Sequence, residues 1–73
     1  MKNRIKVARA ECNYTQADLA GLAEVSRQTI NAMELGKYIP STQLALKLSH
    51  IFQKPVNDLF ELEVSDWKSK DCE

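Results

Sequence analysis

Within residues 15–37, TQADLAGLAEVSRQTINAMELGK, one guanidinium and two carboxamides stand at close spacing: Arg27, Gln28 and Asn31. These groups suit the reading of base edges. A guanidinium pairs bidentately with guanine, and a carboxamide with adenine, in the major groove. On a helix turning about 100° per residue, the three share an arc of about 100° with Leu35. Ile30 and Met33 lie on another side, within about 60° of each other. One face is therefore apolar and inward, and the other presents donors and acceptors. The polar groups cluster toward the N-terminal end of such a helix, where unpaired backbone N–H groups favour phosphate. Ser26 and Thr29 at that end, with Lys37, Tyr38 and Ser41 beyond it, are the accompanying candidates for phosphate contact. Contacts of that kind position a protein without reading sequence. Plainer roles compete: Ser26 and Ser41 as helix caps, Tyr38 as a cover for the core.

Two short helices and a tight turn must hold that face. Thr15 is a candidate N-cap, and Asp18 three residues later completes a capping-box pattern. Residues 16–23 then carry Leu19, Ala20, Leu22 and Ala23. Glu24 and Val25 form the turn, Ser26 caps a second helix over 27–35, and Gly36 stops it. Gly21, inside the first of these helices, costs about 1 kcal/mol relative to alanine.

This stretch resembles the helix-turn-helix of the Cro/cI-type repressors, also called lambda-repressor-like or XRE-type. The matching residues are Thr15-Gln16, Leu19-Ala20, Val25-Ser26, Gln28, Ile30, Glu34 and Gly36-Lys37, with Arg9 upstream and Pro40, Leu44 and Leu46 downstream. The likeness runs over roughly residues 3–62. The SRQTIN run and the acidic end are also similar to a small subgroup of dimeric repressors that includes the cytolysin repressor. The resemblance implies that Arg9 and Glu34 form a partly buried ion pair tying the first helix to the recognition helix. It implies that Gln16 places its amide on a DNA phosphate while bracing the recognition helix. Glu24 departs from the family, which usually has glycine there. If the turn needs a positive φ, glutamate adopts it less easily than glycine.

The totals narrow the classes. Seventy-three residues make one domain, read as a body over 1–65 and a polar tail over 66–73. A chain this short buries a limited core and often gains stability from a partner. Net charge is zero, but it is unevenly spread: residues 1–54 carry eight basic and four acidic groups, and residues 55–73 carry two basic and six acidic ones. A basic body with an acidic end suits DNA on one side and solvent or a partner on the other. No run of 18 apolar residues predicts a membrane span, and the basic N-terminus lacks the apolar stretch of a secretory signal. Cys12 and Cys72 are too few for a disulfide framework and read as free thiols of a cytoplasmic protein. With one histidine and no CxxC, no metal site and no cofactor are expected. An enzyme is disfavoured too, since no nucleophile–base pair with an orienting third group and no glycine-rich phosphate loop appears.

The remaining elements follow from periodicity. A first helix is expected over 4–12, with Ile5, Ala8 and Cys12 on its inner face. Tyr14, just before the Thr15 cap, reads as a hydrophobic staple. A fourth helix over 42–52 carries the stripe Leu44, Leu48, Ile51 and Phe52, and a short fifth covers 56–60. FELEV then alternates, with Phe60, Leu62 and Val64 to one side, which is a strand period. Such a strand needs a partner, either residues 1–3 or the same strand of a second subunit. Leu59, Phe60, Leu62 and Val64 are the expected dimer contacts. The expectation is an all-α, five-helix, lambda-repressor-like domain with a short C-terminal strand. Its expected function is that of a sequence-specific regulator, a repressor binding a pseudo-palindromic operator in double-stranded DNA as a homodimer. The competing reading is an antitoxin or other interaction module whose acidic end takes a protein partner.

Overall fold

Three hydroxyl side chains start three helices in the same way. Thr15, Ser26 and Ser41 each sit in extended backbone, and each accepts a hydrogen bond from the backbone N–H three residues on: Asp18 at 3.0 Å, Thr29 at 3.1 Å and Leu44 at 3.1 Å. Asp18 returns the favour by accepting from the Thr15 N–H at 3.0 Å, so the capping box is complete. Each cap satisfies one of the four orphan N–H groups at a helix start.

The computed structural model describes residues 1–67. Their order is β1 (Lys2–Asn3), α1 (Ile5–Glu11), α2 (Gln16–Ala23), α3 (Arg27–Glu34), α4 (Thr42–Phe52), α5 (Val56–Leu59) and β2 (Phe60–Glu61), followed by a single 3-10 turn, Val64–Asp66. The fold is all-α with a two-residue antiparallel ladder, as the sequence implies. Cys72 and most of the expected tail lie outside the described residues.

One core joins every helix. Ile5 and Ala8 of α1, Leu19, Ala20 and Ala23 of α2, Ile30 and Met33 of α3, Leu44, Leu48 and Phe52 of α4, and Leu59 of α5 are buried together with Phe60 of β2. Tyr14 packs against this cluster, its ring centroid 6.4 Å from that of Phe52.

The structure corrects several boundaries. The first helix runs over Ile5–Glu11 rather than 4–12, and Cys12 is its exposed C-cap rather than a core residue. The helical turn has ended there, so the inner stripe no longer applies. The FELEV alternation does not become a strand of five residues. Only Phe60 and Glu61 pair, with Asn3 and Lys2 respectively, and Met1, next in register, turns its ammonium to Glu63 and Asp66 instead. The strand partner is thus the chain's own N-terminus. Beyond it, the Asp66 carboxylate accepts from the Glu63 N–H at 2.7 Å and bends the backbone into the 3-10 turn. Leu59 and Phe60, expected at a dimer contact, are taken up by the chain's own core. Leu62 and Val64 are exposed at 57% and 92%.

Asp66 also reaches Met1. The N-terminal ammonium lies 3.2 Å from the Asp66 carboxylate and 3.0 Å from that of Glu63. The hydrogen bonds that the ammonium donates to Glu63 and Asp66 raise the pKa of the amine above its ordinary 8.0. The Glu63 backbone N–H, and then the ammonium, lower that of Asp66 below 3.8. The amine therefore stabilises the fold fully below pH 8.0 and loses that contribution as pH rises through its raised value; the carboxylate stabilises above pH 3.8 and loses its contribution as pH falls through its lowered value. Thermal melts across pH should show a plateau between those limits with a fall on each side, and an Asp66→Asn variant should reduce the acid shoulder and, since Glu63 still holds the amine, only weaken the alkaline one.

The turn between α2 and α3 carries a measurable conformational cost. Glu24 has φ 63° and ψ 42°, in the left-handed region, which costs a residue with a Cβ roughly 1–2 kcal/mol. Its carboxylate pairs with Lys47 at 3.1 Å on the surface, a contact worth under about 1 kcal/mol. Glu24→Gly should therefore stabilise the protein by about 0.5–1 kcal/mol. In a domain of this size that corresponds to a rise of a few degrees in Tm, about 4–8 °C per kcal/mol. An unchanged or lower Tm would contradict the strain.

Candidate nucleic-acid interface

The recognition face begins with what holds it from behind. Ile30 and Met33 are fully buried, which fixes the roll of α3 about its axis. The opposite side then has to face outward. Arg27, Gln28, Asn31 and Leu35 are all exposed, as the helical arc requires. Leu35 is the C-cap rather than the last helical residue. No hydrogen bond engages the side chains of Arg27, Gln28, Lys37 or Tyr38 among the described residues, so their donors are available to a ligand.

Arg9 restrains α3 along its axis. Its Nε donates to Glu34 Oε2 at 2.8 Å, its Nη2 to Oε1 at 3.4 Å, and its Nη1 to the Tyr14 carbonyl at 2.9 Å. One guanidinium thus ties α1, the loop entering α2, and the last residue of α3. Both side chains are largely shielded, at 17% and 6% exposure. The expected ion pair is present, in the bidentate geometry that favours arginine over lysine.

Gln16 sits beside the pair. Its Nε2 donates to Glu34 Oε1 and to Asn31 Oδ1, both at 3.1 Å. It therefore braces the recognition helix from the first turn of α2. Ser26 and Thr29, both candidates for phosphate contact, are bonded to one another across the α3 start, Oγ to Oγ1 at 2.9 Å. Ser41 caps α4 at the start of the next helix, with Tyr38 and Lys37 exposed between.

Two positioning residues escaped the sequence. Asn3 donates from Nδ2 to the Met33 carbonyl at 2.8 Å, and its Oδ1 accepts from the Ile5 N–H at 3.2 Å. It anchors the C-terminal end of α3 to β1 and α1. Lys47 of α4 lies 3.5 Å from the Ala23 carbonyl and 3.1 Å from Glu24, steadying the inter-helix turn. An asparagine just before a helix is a readable local signal, but its partner 30 residues away is not.

A buried-core second helix, a left-handed turn and an outward α3 with guanidinium and carboxamide groups near its N-terminus define a helix-turn-helix DNA-binding domain. Residues 5–59 match the helix-turn-helix family, and the chain belongs to it, as a regulator of the XRE type. It is 51% identical over 63 residues to an uncharacterized HTH-type transcriptional regulator of Methanocaldococcus jannaschii, covering 86% of this chain and 96% of that one. The regulator YgzD of Bacillus subtilis, also described as an uncharacterized HTH-type transcriptional regulator, is 44% identical over the same coverage of each chain. Another such regulator, from Archaeoglobus fulgidus, is 39% identical over 71 residues, covering 96% of this chain and all of its own. The chain is a DNA-binding regulator rather than an enzyme. No helix among the described residues is long and apolar enough to cross a membrane, and no cluster of metal-ligating side chains occurs among them.

Breaking the shielded pair should cost far more than breaking an exposed one. Arg9→Met strands the Glu34 carboxylate and should destabilise by about 3 kcal/mol. Lys47→Met, which breaks the surface pair with Glu24, should cost under about 1 kcal/mol. Urea unfolding of both variants gives the comparison, and equal losses would mean that the Arg9 site is effectively solvated.

Proposed function

We propose that this regulator is a repressor that binds a pseudo-palindromic operator as a homodimer, with α3 in the major groove of each half-site. The observation that carries the reading is the outward face of α3, where Arg27, Gln28 and Asn31 are exposed opposite buried Ile30 and Met33. In this reading Arg27, Gln28 and Asn31 contact bases. Lys37, Tyr38, Ser41 and the α3 start at Ser26 and Thr29 hold phosphates, while Gln16, whose amino group gives both its hydrogens to Glu34 and Asn31, braces α3 in place of the phosphate contact that the resemblance implies.

Dimerisation is supported by the apolar groups left outside the core after β2. Leu62, Val64 and Trp67 are exposed at 57%, 92% and 62%, close together in the chain beyond a two-residue strand. A second copy covering them would place two recognition helices about 34 Å apart, one turn of DNA. The protein would act in the cytoplasm, where the DNA is. The same surface would also accept a different protein partner, which the test below separates.

Binding-site selection from random duplex DNA is the direct test. An enriched inverted repeat supports a dimeric operator-binding protein, and failure of the folded protein to enrich any sequence overturns the proposal in favour of an interaction module. Against the selected site, Gln28→Ala should cost about 1–3 kcal/mol and relax preference at one base pair of each half-site. Lys37→Ala should weaken binding to all sequences alike and make the salt dependence shallower. Fluorescence anisotropy at several salt concentrations distinguishes the two patterns, and a uniform loss for Gln28→Ala would remove it from base reading.

A further inference from the structure

The hydrogen bonds behind α3 run in one direction. Arg9 can only donate, so Glu34 accepts from it at 2.8 and 3.4 Å. The Glu34 carboxylate can only accept, so the Gln16 atom 3.1 Å from Oε1 must be the amino nitrogen Nε2. That same nitrogen lies 3.1 Å from the Asn31 side chain. The atom facing it must therefore be an acceptor, which is Oδ1. The orientation of both carboxamides follows from the charged pair and leaves neither amide to be assigned by choice.

The oxygen and the amino group of a carboxamide diverge. With Oδ1 held by Gln16, the end that Asn31 offers outward is Nδ2, a donor. Bidentate pairing with adenine needs both ends at once, the amino group on N7 and the oxygen on the N6 amino group. Guanine presents two acceptors side by side, N7 and O6. We infer that Asn31 enters the major groove as a donor whose polarity is set by Gln16, and that it favours guanine over adenine at the base pair it meets. This rests on α3 being the base-reading helix. Gln16 is here a positioning residue for specificity, with both hydrogens of its amino group spent on Glu34 and Asn31. One hydrogen bond at an exposed site biases the two orientations between about twofold and tenfold, and the base preference should have that size.

Binding-site selection with the wild type, Asn31→Ala and Gln16→Met tests the inference. Asn31→Ala should flatten one base pair of each half-site and so mark the position. There the wild type should enrich guanine over adenine by about twofold to tenfold. Gln16→Met keeps the length of the side chain but removes the amide, and should raise adenine at the marked position while leaving the other positions unchanged. Should thermal melts show that Gln16→Met does not fold, Asn31→Asp replaces it: an acceptor in place of the donor should move the marked pair from guanine to cytosine. Adenine at the marked position in the wild type overturns the inference. So does a Gln16→Met protein that keeps the guanine preference and merely binds all sequences less well, or an Asn31→Asp protein that retains guanine. An enriched wild-type site with no position flattened by Asn31→Ala overturns it while leaving the proposed function standing. A wild type that enriches no sequence overturns both.

Discussion

The Arg9–Glu34 pair is the constraint on which the recognition face depends. Packing alone does not fix a short helix well: Ile30 and Met33 set the roll of α3 but give little control over sliding along its axis. The guanidinium supplies that control because its three nitrogens bind at three places, two on Glu34 and one on the Tyr14 carbonyl. A planar fork with fixed angles converts one ion pair into a positional restraint between α1 and α3. Asn3 repeats the device with neutral groups at the Met33 carbonyl. Each restraint lies at or near the C-terminal end of α3. Its N-terminal end, with Arg27 and Gln28, is held by Ser26 and by the turn from α2.

That turn shows how a constraint can be retained with an unfavourable residue. Glu24 occupies a left-handed conformation that glycine would adopt at no steric cost. The turn is nonetheless maintained, because Ala20 and Ala23 are buried in the core and Val25 packs against it. Tertiary packing outweighs a local preference of about 1 kcal/mol. Lys47 returns part of the cost through its contacts with Ala23 and Glu24.

Local chemistry was legible in the sequence, and long-range pairing was not. The caps at Thr15, Ser26 and Ser41 need only residues within three positions, and the inner stripe of α3 needs only its period. The Arg9–Glu34 pair spans 25 residues and came from family resemblance rather than from any pattern in the chain. The FELEV segment misled because alternation specifies a face, not a length. The ladder ends at Lys2 and Glu61, where Met1 turns to the carboxylates of Glu63 and Asp66. Cys12 misled because a helix of seven residues ends before its third turn. The roles of Asn3 and Lys47 required the folded neighbours to be known, as did the direction of the Gln16 amide.

Folding also separates the charges of a chain that is neutral overall. The acidic end is not left to spread its field over the body. Glu63 and Asp66 close on the Met1 ammonium. The negative charges are thus partly neutralised within the segment that contains them. That segment is tied in through β1 and Asn3 at the C-terminal end of α3. An eight-residue helix is about 12 Å long, more than the Debye length of about 8 Å at physiological salt. Arg27 at its other end is therefore screened from the acidic clamp, and the local charge near the α3 start is set by Arg27 and the helix N-terminus rather than by the total. The directed donors and acceptors of α3 are held in place by the Arg9 network, which lies at the other end of the helix.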